Sequence, residues 1–484
     1  MNGPIRRLAI GLFLAFSALL LSVTWLQVIR ADDLKNDTRN PRPALLARGK
    51  ERGVIITADG TVVARSVQEE NSRDFRREYP EGPAFAHLVG YSSFLVGESG
   101  LEAAYSPQLR TRRDVTISDI IAAFFGADLS PKNLELTVDA RIQRAASDAL
   151  AEFTGAVVVL DVETGAVLAS YSNPSFDPEA LVGDDATGNW EELGADPTRP
   201  LNDRATRELY APGSTFKVVV AAAAMDTGVA GPATMFADPR EFQLPGSSAT
   251  ISNFDGRVCG DGNAVQLRRA FVRSCNTIFA DLAIQVGAAN IGLTAEGLGW
   301  NRRIDFPWSL PEAAFRTEEL ANDAAALGQS GIGERDVRAT PLHMAMVAAA
   351  VANDGVAVTP YLVQRVFDAD GVTVEEAEPT PIGRAMASET AAQLRELMTQ
   401  VVIEGTGRRA AVPGIQVAGK TGTATGARGF SNAWFIGFAP AEAPRIAFAV
   451  LVEGNELTGE DATGGTLAAP IAARIVEAWR ETNN

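Results

Sequence analysis

Residues 8–29 read LAIGLFLAFSALLLSVTWLQVI, without a single charge. At ~1.5 Å of rise per residue a helix of that length spans roughly 30 Å, the thickness of a bilayer core. The segment is apolar all round, unlike a helix lying on a soluble core. Arg6 and Arg7 precede it, and Asp32 and Asp33 follow. The positive-inside rule therefore puts residues 1–7 in the cytoplasm and the rest of the chain outside. A cleaved signal peptide needs a shorter apolar core and small residues before the cut. The nearest cut, after Ala31, has Ile29 and Arg30 in front of it. The expectation is an uncleaved single-pass anchor at 8–29.

A polar, Pro-containing linker follows. Then VIITADGTVVARS shows two β-rich runs around Asp59 and Gly60, a hairpin pattern. From there to about Pro131 turns break up a mixed pattern, which predicts a small α+β module without visible chemistry. Near Asn133 a second unit opens with a short strand and a helix capped by Asp139. GAVVVLDVETGAVLASYSN gives two strands joined at Glu163, Thr164 and Gly165. Their near-continuous apolar character predicts a sheet covered on both faces. DPEALVGDDATGNWEELGADPTRP reads as a turn-rich surface excursion, and the stretch from Ser214 to about Asp354 as helical. IQVAGKTGTAT, NAWFIGFAP and RIAFAVLVEG are three consecutive strands. APIAARIVEAW closes as a helix with Pro470 in its first turn and Ile471, Ile475 and Trp479 on one face. Strands at both ends with helices between predict one sheet flanked by helices, an α/β (α+β) fold.

Composition narrows the function. The 484 residues are 46% hydrophobic, enough for a large core, and the net charge of −17 argues against nucleic acid as a partner. Two cysteines and two histidines, scattered without ligand spacing, predict no metal, and no cofactor motif holds up. Gly414, Gly419, Lys420 and Thr421 match a phosphate-loop pattern. RRAAVPG before it and GTATGARGF after it supply neither the strand nor the helix that such a loop requires. On an exported chain Cys259 and Cys275 meet an oxidising compartment. They form a disulfide across a short loop or stay as separate buried thiols, and spacing leaves both open.

Three short motifs carry chemistry. In APGSTFKVVV, Ser214 and Lys217 are three apart at a helix start. The hydroxyl would sit in the positive field of the helix N-terminus, and the amine would be desolvated by the valines behind it. A neutral amine is a competent base for a serine nucleophile. By itself the pattern fits a capped helix with a solvated lysine better, since a lone Ser-x-x-Lys is common. In VRSCNTIFADLA, Ser274 and Asn276 can both face a cleft, or can simply cap a helix. In VAGKTGTAT, Lys420, Thr421, Gly422 and Thr423 lie on an edge-like strand whose glycines admit a peptide backbone. Lys420 with the Thr421 and Thr423 hydroxyls suits a terminal carboxylate. His87 and His343 read as packed or surface residues, Glu102 as structural, and Trp434 and Phe435 as sheet core.

In the order Ser-x-x-Lys, Ser-x-Asn, Lys-Thr-Gly, these motifs resemble the penicillin-recognising serine transferases. The likeness extends to RGKERGVIITADGTVVARS and GESGLEAAYSPQL in the N-terminal module. It also covers ALGQSGIGERDVRATPLHMAMVAAAVANDG in the larger unit. Taken whole, with MNGPIRRLA and FVRSCNT, the chain is similar to class B penicillin-binding proteins, most of all the actinobacterial penicillin-binding protein A group. Cys275 stands where the family pattern has Asp.

The resemblance implies a penicillin-binding transpeptidase fold over 133–484, with an antiparallel sheet and a helical subdomain. It implies a non-catalytic, pedestal- or dimerisation-like module at 30–132. The activity implied is a D,D-transpeptidase that cross-links peptidoglycan stem peptides during growth and division and is acylated by β-lactams. Ser214 would be the nucleophile, Lys217 its base and Ser274 a proton relay with Lys420. Asn276 would orient Lys217 and substrate, the Ser214 and Thr423 N–H groups would hold the oxyanion, and Lys420, Thr421 and Thr423 the carboxylate. Class B proteins lack a glycosyltransferase domain, so a SEDS-type glycosyltransferase and the division or elongation machinery are the implied partners. A D,D-carboxypeptidase, a β-lactamase-like hydrolase and a β-lactam sensor remain alternatives. The sensor expects a cytoplasmic domain, where this chain has seven residues before the span.

Overall fold

A computed structural model of the chain describes residues 2–30, 51–70, 72, 74–110, 130–254, 256–426, 429–459 and 462–482. The linker expected after the apolar segment lies largely outside them. The chain divides into two compact units, Met1–Glu51 with Val67–Arg76 and Arg52–Ser66 with Arg77–Asn484. In the first unit Asn2–Thr24 is an α-helix that continues as a π-turn over Trp25–Ile29. The span Gly3–Ile29 has a mean hydropathy of 2.2 and is long and apolar enough to cross a membrane.

The second unit is built on a five-stranded antiparallel sheet. In chain order its strands are β1 (Gly155–Asp161), β2 (Val167–Asn173), β3 (Ala418–Thr425), β4 (Ser431–Ala439) and β5 (Ile446–Val452). Across the sheet the order is β3-β4-β5-β1-β2. The helices that frame it are α1 (Ala140–Leu150), α2 (Lys217–Asp226), α3 (Asn276–Val286), α4 (Pro341–Ala352), α5 (Ser388–Ile403) and α6 (Ala469–Thr482). Strand alternation sends neighbouring residues to opposite faces. Val157, Val159, Phe435, Phe448 and Val450 pack with α1 and α6, through Ile142 and Ile475. Ala156, Val158, Trp434, Ile436 and Ala449 pack with α2, α3 and α4. Both faces are covered, so the strands need no polar positions, as their apolar runs implied.

The architecture is the expected one, with local corrections. The turn-rich excursion contains a 3-10 turn at Pro178–Leu181 and an α-helix at Ala186–Ala195. The helical middle carries a small hairpin of Glu241–Gln243 with Thr250–Ser252, enclosed by an antiparallel strand pair of Met235–Ala237 with Ala264–Gln266. Strand β3 starts at Ala418 rather than Ile415, because Ile415 turns back to bridge Val412. The last helix begins at Ala469 with Pro470 in its first turn, as expected, and a π-turn at Gly464–Ala468 precedes it. The hairpin around Asp59 and Gly60 is present, with Ile55 opposite Ala64. Its strand Ile55–Ile56 also pairs in parallel with Asn133–Leu136, which pairs antiparallel with Val363–Phe367. A second sheet thus joins the hairpin to segments far apart in sequence.

Glu102 sits fully buried between two cations beside this sheet. Arg77 Nε donates to its Oε1 at 2.5 Å, Arg52 Nε donates to its Oε2, and Tyr79 hydroxyl is 3.3 Å away. Removing one partner of a buried ion cluster leaves the others desolvated and unpaired. Glu102→Ala is therefore expected to cost about 3–5 kcal/mol in denaturant unfolding. Arg65→Ala, which breaks the exposed pair with Glu78, should cost under about 1 kcal/mol.

Candidate active site

Ser214 lies in the 3-10 turn Gly213–Phe216, which runs directly into α2. Residues 218–224 of α2 are all buried valine and alanine, so the helix is a core helix and its first residue, Lys217, is fully buried. The turn is pressed against β3. Gly213 has φ +53°, and a Cβ there would lie 2.4 Å from Thr423 O. A Cβ on Gly422 would lie 2.9 Å from Pro212 O and 3.1 Å from Thr215 N. Glycine at both positions lets backbone meet backbone across the cleft floor.

Ser274 ends the helix Leu267–Arg273 in the left-handed region, at φ +63°. A non-glycine residue there is strained, by about 1–2 kcal/mol, and must be held. Cys275 follows, fully buried and disulfide-bonded to Cys259. Asn276 then opens α3. Neither Ser274 nor Asn276 caps that helix with its side chain. The Asn253 side chain does so instead, accepting from Asn276 N at 2.8 Å and Thr277 N at 3.1 Å. Both motif side chains are thereby free to face the cleft.

They converge on Lys217. Its amine donates to Ser274 O and to Asn276 Oδ1, each at 2.7 Å, and lies 3.4 Å from Ser274 Oγ. Lys420, also fully buried, reaches the same Ser274 Oγ at 2.8 Å and Thr421 O at 2.9 Å. Burial holds the Lys217 amine well below the usual lysine range, and the charge of Lys420 adds to the effect. Burial brings Lys420 down to about 7. A neutral amine has two N–H donors and one lone pair. The two close acceptors use both of Lys217's donors, so its lone pair is left for a serine proton. No hydrogen bond joins Lys217 to Ser214 among the described residues, and Ser214 is half-buried on the cleft wall.

Strand β3 supplies the other wall. It is an edge strand, and Thr425 N turns outward to donate to Glu334 Oε1 at 2.9 Å. Backbone groups of alternate residues point the same way, so Thr423 and Thr421 also turn their N–H and C=O toward the cleft. Thr421 Oγ1 lies 2.5 Å from Thr406 Oγ1. The cleft between these walls holds about 580 Å³ and is also lined by Arg257, Arg273, Arg408 and Arg409. Neither histidine lines it. His343 is buried against Thr340, its imidazole lowered to about 4 by burial.

All the motif residues expected at one site line this cleft or bond to those that do. Asn253, Thr406 and Glu334 were not expected. The polar spacing of the sequence gives no hint of them, because each meets the motifs through a long-range contact. No group of three or more metal-ligating side chains occurs among the described residues.

Lys420 also predicts a pH effect on stability. An unfolded lysine titrates near ~10.4, so between about pH 7 and pH 10 the unfolded chain holds more protons than the folded one. Stability should rise with pH across that window, and Lys217 contributes in the same direction. Lys420→Met should flatten the rise in denaturant unfolding, and equal slopes for both proteins would contradict it.

Residues 155–477 match the family described as penicillin binding protein transpeptidase domain, and 52–133 the penicillin binding protein A dimerisation domain. The chain is 40% identical to the peptidoglycan D,D-transpeptidase PbpA of Mycolicibacterium smegmatis, covering 99% of this chain and 100% of that protein. It is 39% identical to PbpA of Mycobacterium tuberculosis, with 99% of both covered. Among solved structures, penicillin-binding protein A from M. tuberculosis as its ceftriaxone acyl-enzyme superposes with a TM-score of 0.82 at 37% identity, covering 90% of this chain and 98% of that one. A D,D-transpeptidase domain from Eggerthella lenta gives a TM-score of 0.79 at 38% identity, covering 90% and 100%.

Proposed function

The chain belongs to the penicillin-binding protein transpeptidase family, and from that premise we propose how its residues divide the chemistry of a peptidoglycan D,D-transpeptidase. Ser214 Oγ attacks the carbonyl of the penultimate D-Ala of a stem peptide. The Oγ–C bond forms, the C–N bond breaks, and the terminal D-Ala leaves with a proton on its amine. An amine of a neighbouring stem then attacks the ester, which forms the cross-link and returns the proton to Ser214. β-Lactams enter as donor mimics and stay on Ser214 as an ester.

One observation carries this assignment: a buried lysine amine, its two donors engaged, one turn behind a serine hydroxyl that faces the cleft. Lys217 takes the Ser214 proton. Ser274, within reach of both lysine amines, relays it toward the leaving amine, with Lys420 supplying positive field. Asn276 fixes Lys217 and presents its amide to the donor. The N–H groups of Ser214 and Thr423 receive the oxyanion. Lys420 with the Thr421 and Thr423 hydroxyls receives the terminal carboxylate, and Gly422 keeps the strand narrow enough for the donor to approach.

Residues 133–484 act as the transpeptidase domain and 30–132 as a dimerisation-like module, anchored by 8–29 with the N-terminus in the cytoplasm. A SEDS-type glycosyltransferase supplies the glycan strands. The apolar span supports the anchor and the match over 52–133 supports the module.

Purified protein should be labelled by a fluorescent penicillin, and Ser214→Ala should abolish the label. Persistent labelling of that variant would sink the nucleophile assignment. Lys217→Arg, whose guanidinium stays charged, should slow acylation by about 10²–10⁴-fold. Rapid loss of label would favour a hydrolase. Cross-linking of polymerised lipid II separates a transpeptidase from a carboxypeptidase.

A further inference from the structure

Glu334 is the one carboxylate among the described residues that line the cleft, which four arginines also line. It closes the loop whose Gly333 O accepts from Gly213 N at 2.9 Å, so it is fixed directly against the turn that carries Ser214. One oxygen accepts from Thr425 N, and the carboxyl makes no ion pair among the described residues. The guanidinium of Arg338 acts on it from a distance but donates to Arg335 O and Val337 O.

The direction of the donor places Glu334 in the reaction. In the assignment proposed above, the terminal carboxylate lies at the Lys420 and Thr421 end of β3 and the scissile carbonyl opposite Thr423 N. The donor chain then continues along the strand edge toward Thr425. The residue before the D-Ala pair starts one residue beyond the scissile alanine, about 3–4 Å further along. Thr425, with Glu334 on its N–H, stands two strand residues past Thr423, about 7 Å away. A donor laid along β3 in this way would bring that residue to the part of the cleft lined by Glu334. Burial pushes this carboxyl up from its ordinary value, against the Thr425 hydrogen bonds and the charge of Arg338. The opposite charge, on Arg408 and Arg409, lies at the carboxylate end of the strand.

We infer that Glu334 is a specificity-determining residue that binds a side-chain ammonium on the donor residue preceding D-Ala-D-Ala. The inference rests on the transpeptidase reading above. The competing role for Glu334 is to cap the Thr425 N–H alone, and charge separates the two.

The test uses the full-length protein in detergent and three synthetic donors, N-acyl-X-D-Ala-D-Ala, with X as lysine, Nε-acetyl-lysine or norleucine. The readout is kcat/KM for D-Ala release, backed by each donor's competition with fluorescent-penicillin acylation. Wild type should prefer the lysine donor by about tenfold, the scale of a charge-assisted hydrogen bond. Glu334→Gln keeps an acceptor for Thr425 N and should bring the preference to about one, through KM. Glu334→Asp should restore part of it. Equal use of all three donors by wild type, or a preference retained in Glu334→Gln, overturns the inference. A uniform slowing with the preference kept assigns the carboxyl to the cap. Failure of penicillin to label Ser214 would instead overturn the functional reading beneath it.

Discussion

Two lysine amines are buried within hydrogen-bond reach of one serine hydroxyl, with no carboxylate among their partners. A low-dielectric interior does not tolerate two unpaired ammonium groups. The site meets that constraint by holding the Lys217 amine well below the usual lysine range, through burial first and the charge of Lys420 second. The surroundings follow from the same need. Asn276 and Ser274 O must stand at fixed points, so Ser274 is held in a left-handed conformation. The disulfide to Cys259 holds the next residue. Asp238 in turn holds the Cys259 loop, accepting from Cys259 N at 2.8 Å, Gly260 N at 2.6 Å and Gly262 N at 3.0 Å.

The field in the cleft runs against that of the whole molecule. The chain carries a net charge of −17, yet four guanidiniums and one carboxylate line the cleft. Net charge predicts solubility and nonspecific partners; local charge predicts the ligand. Composition gave no sign of the positive charge gathered in the cleft.

Much of the sheet was legible because its strands are covered on both faces. Val157, Val158 and Val159 are all buried, and a run of that kind has few other uses. The motif residues were legible as a set, since three patterns in order exclude most accidents that one pattern allows. The phosphate-loop lookalike fell away on local context alone. Ala186–Ala195 was not legible as a helix: its glycines and acidic residues carry little apolar period, and it packs weakly. Nor could the start of β3 be seen, because Ile415 and Val417 alternate like a strand while tertiary contacts bend the chain. Asn253, Thr406 and Glu334 act through partners distant in sequence, and only the folded chain brings them together.

The strand order β3-β4-β5-β1-β2 sets a timetable for biogenesis. The first hairpin made, β1 and β2, waits for the last hairpin, β3 and β4, with β5 joining them at β1. A chain still emerging, with Ser214, Lys217, Ser274 and Asn276 already made, has neither its covered sheet nor the strand that carries Lys420. Such a chain has lysine and serine but lacks the second wall of the cleft. The final hairpin is thus also what brings Lys420 to the Ser274 hydroxyl and closes the cleft around Ser214.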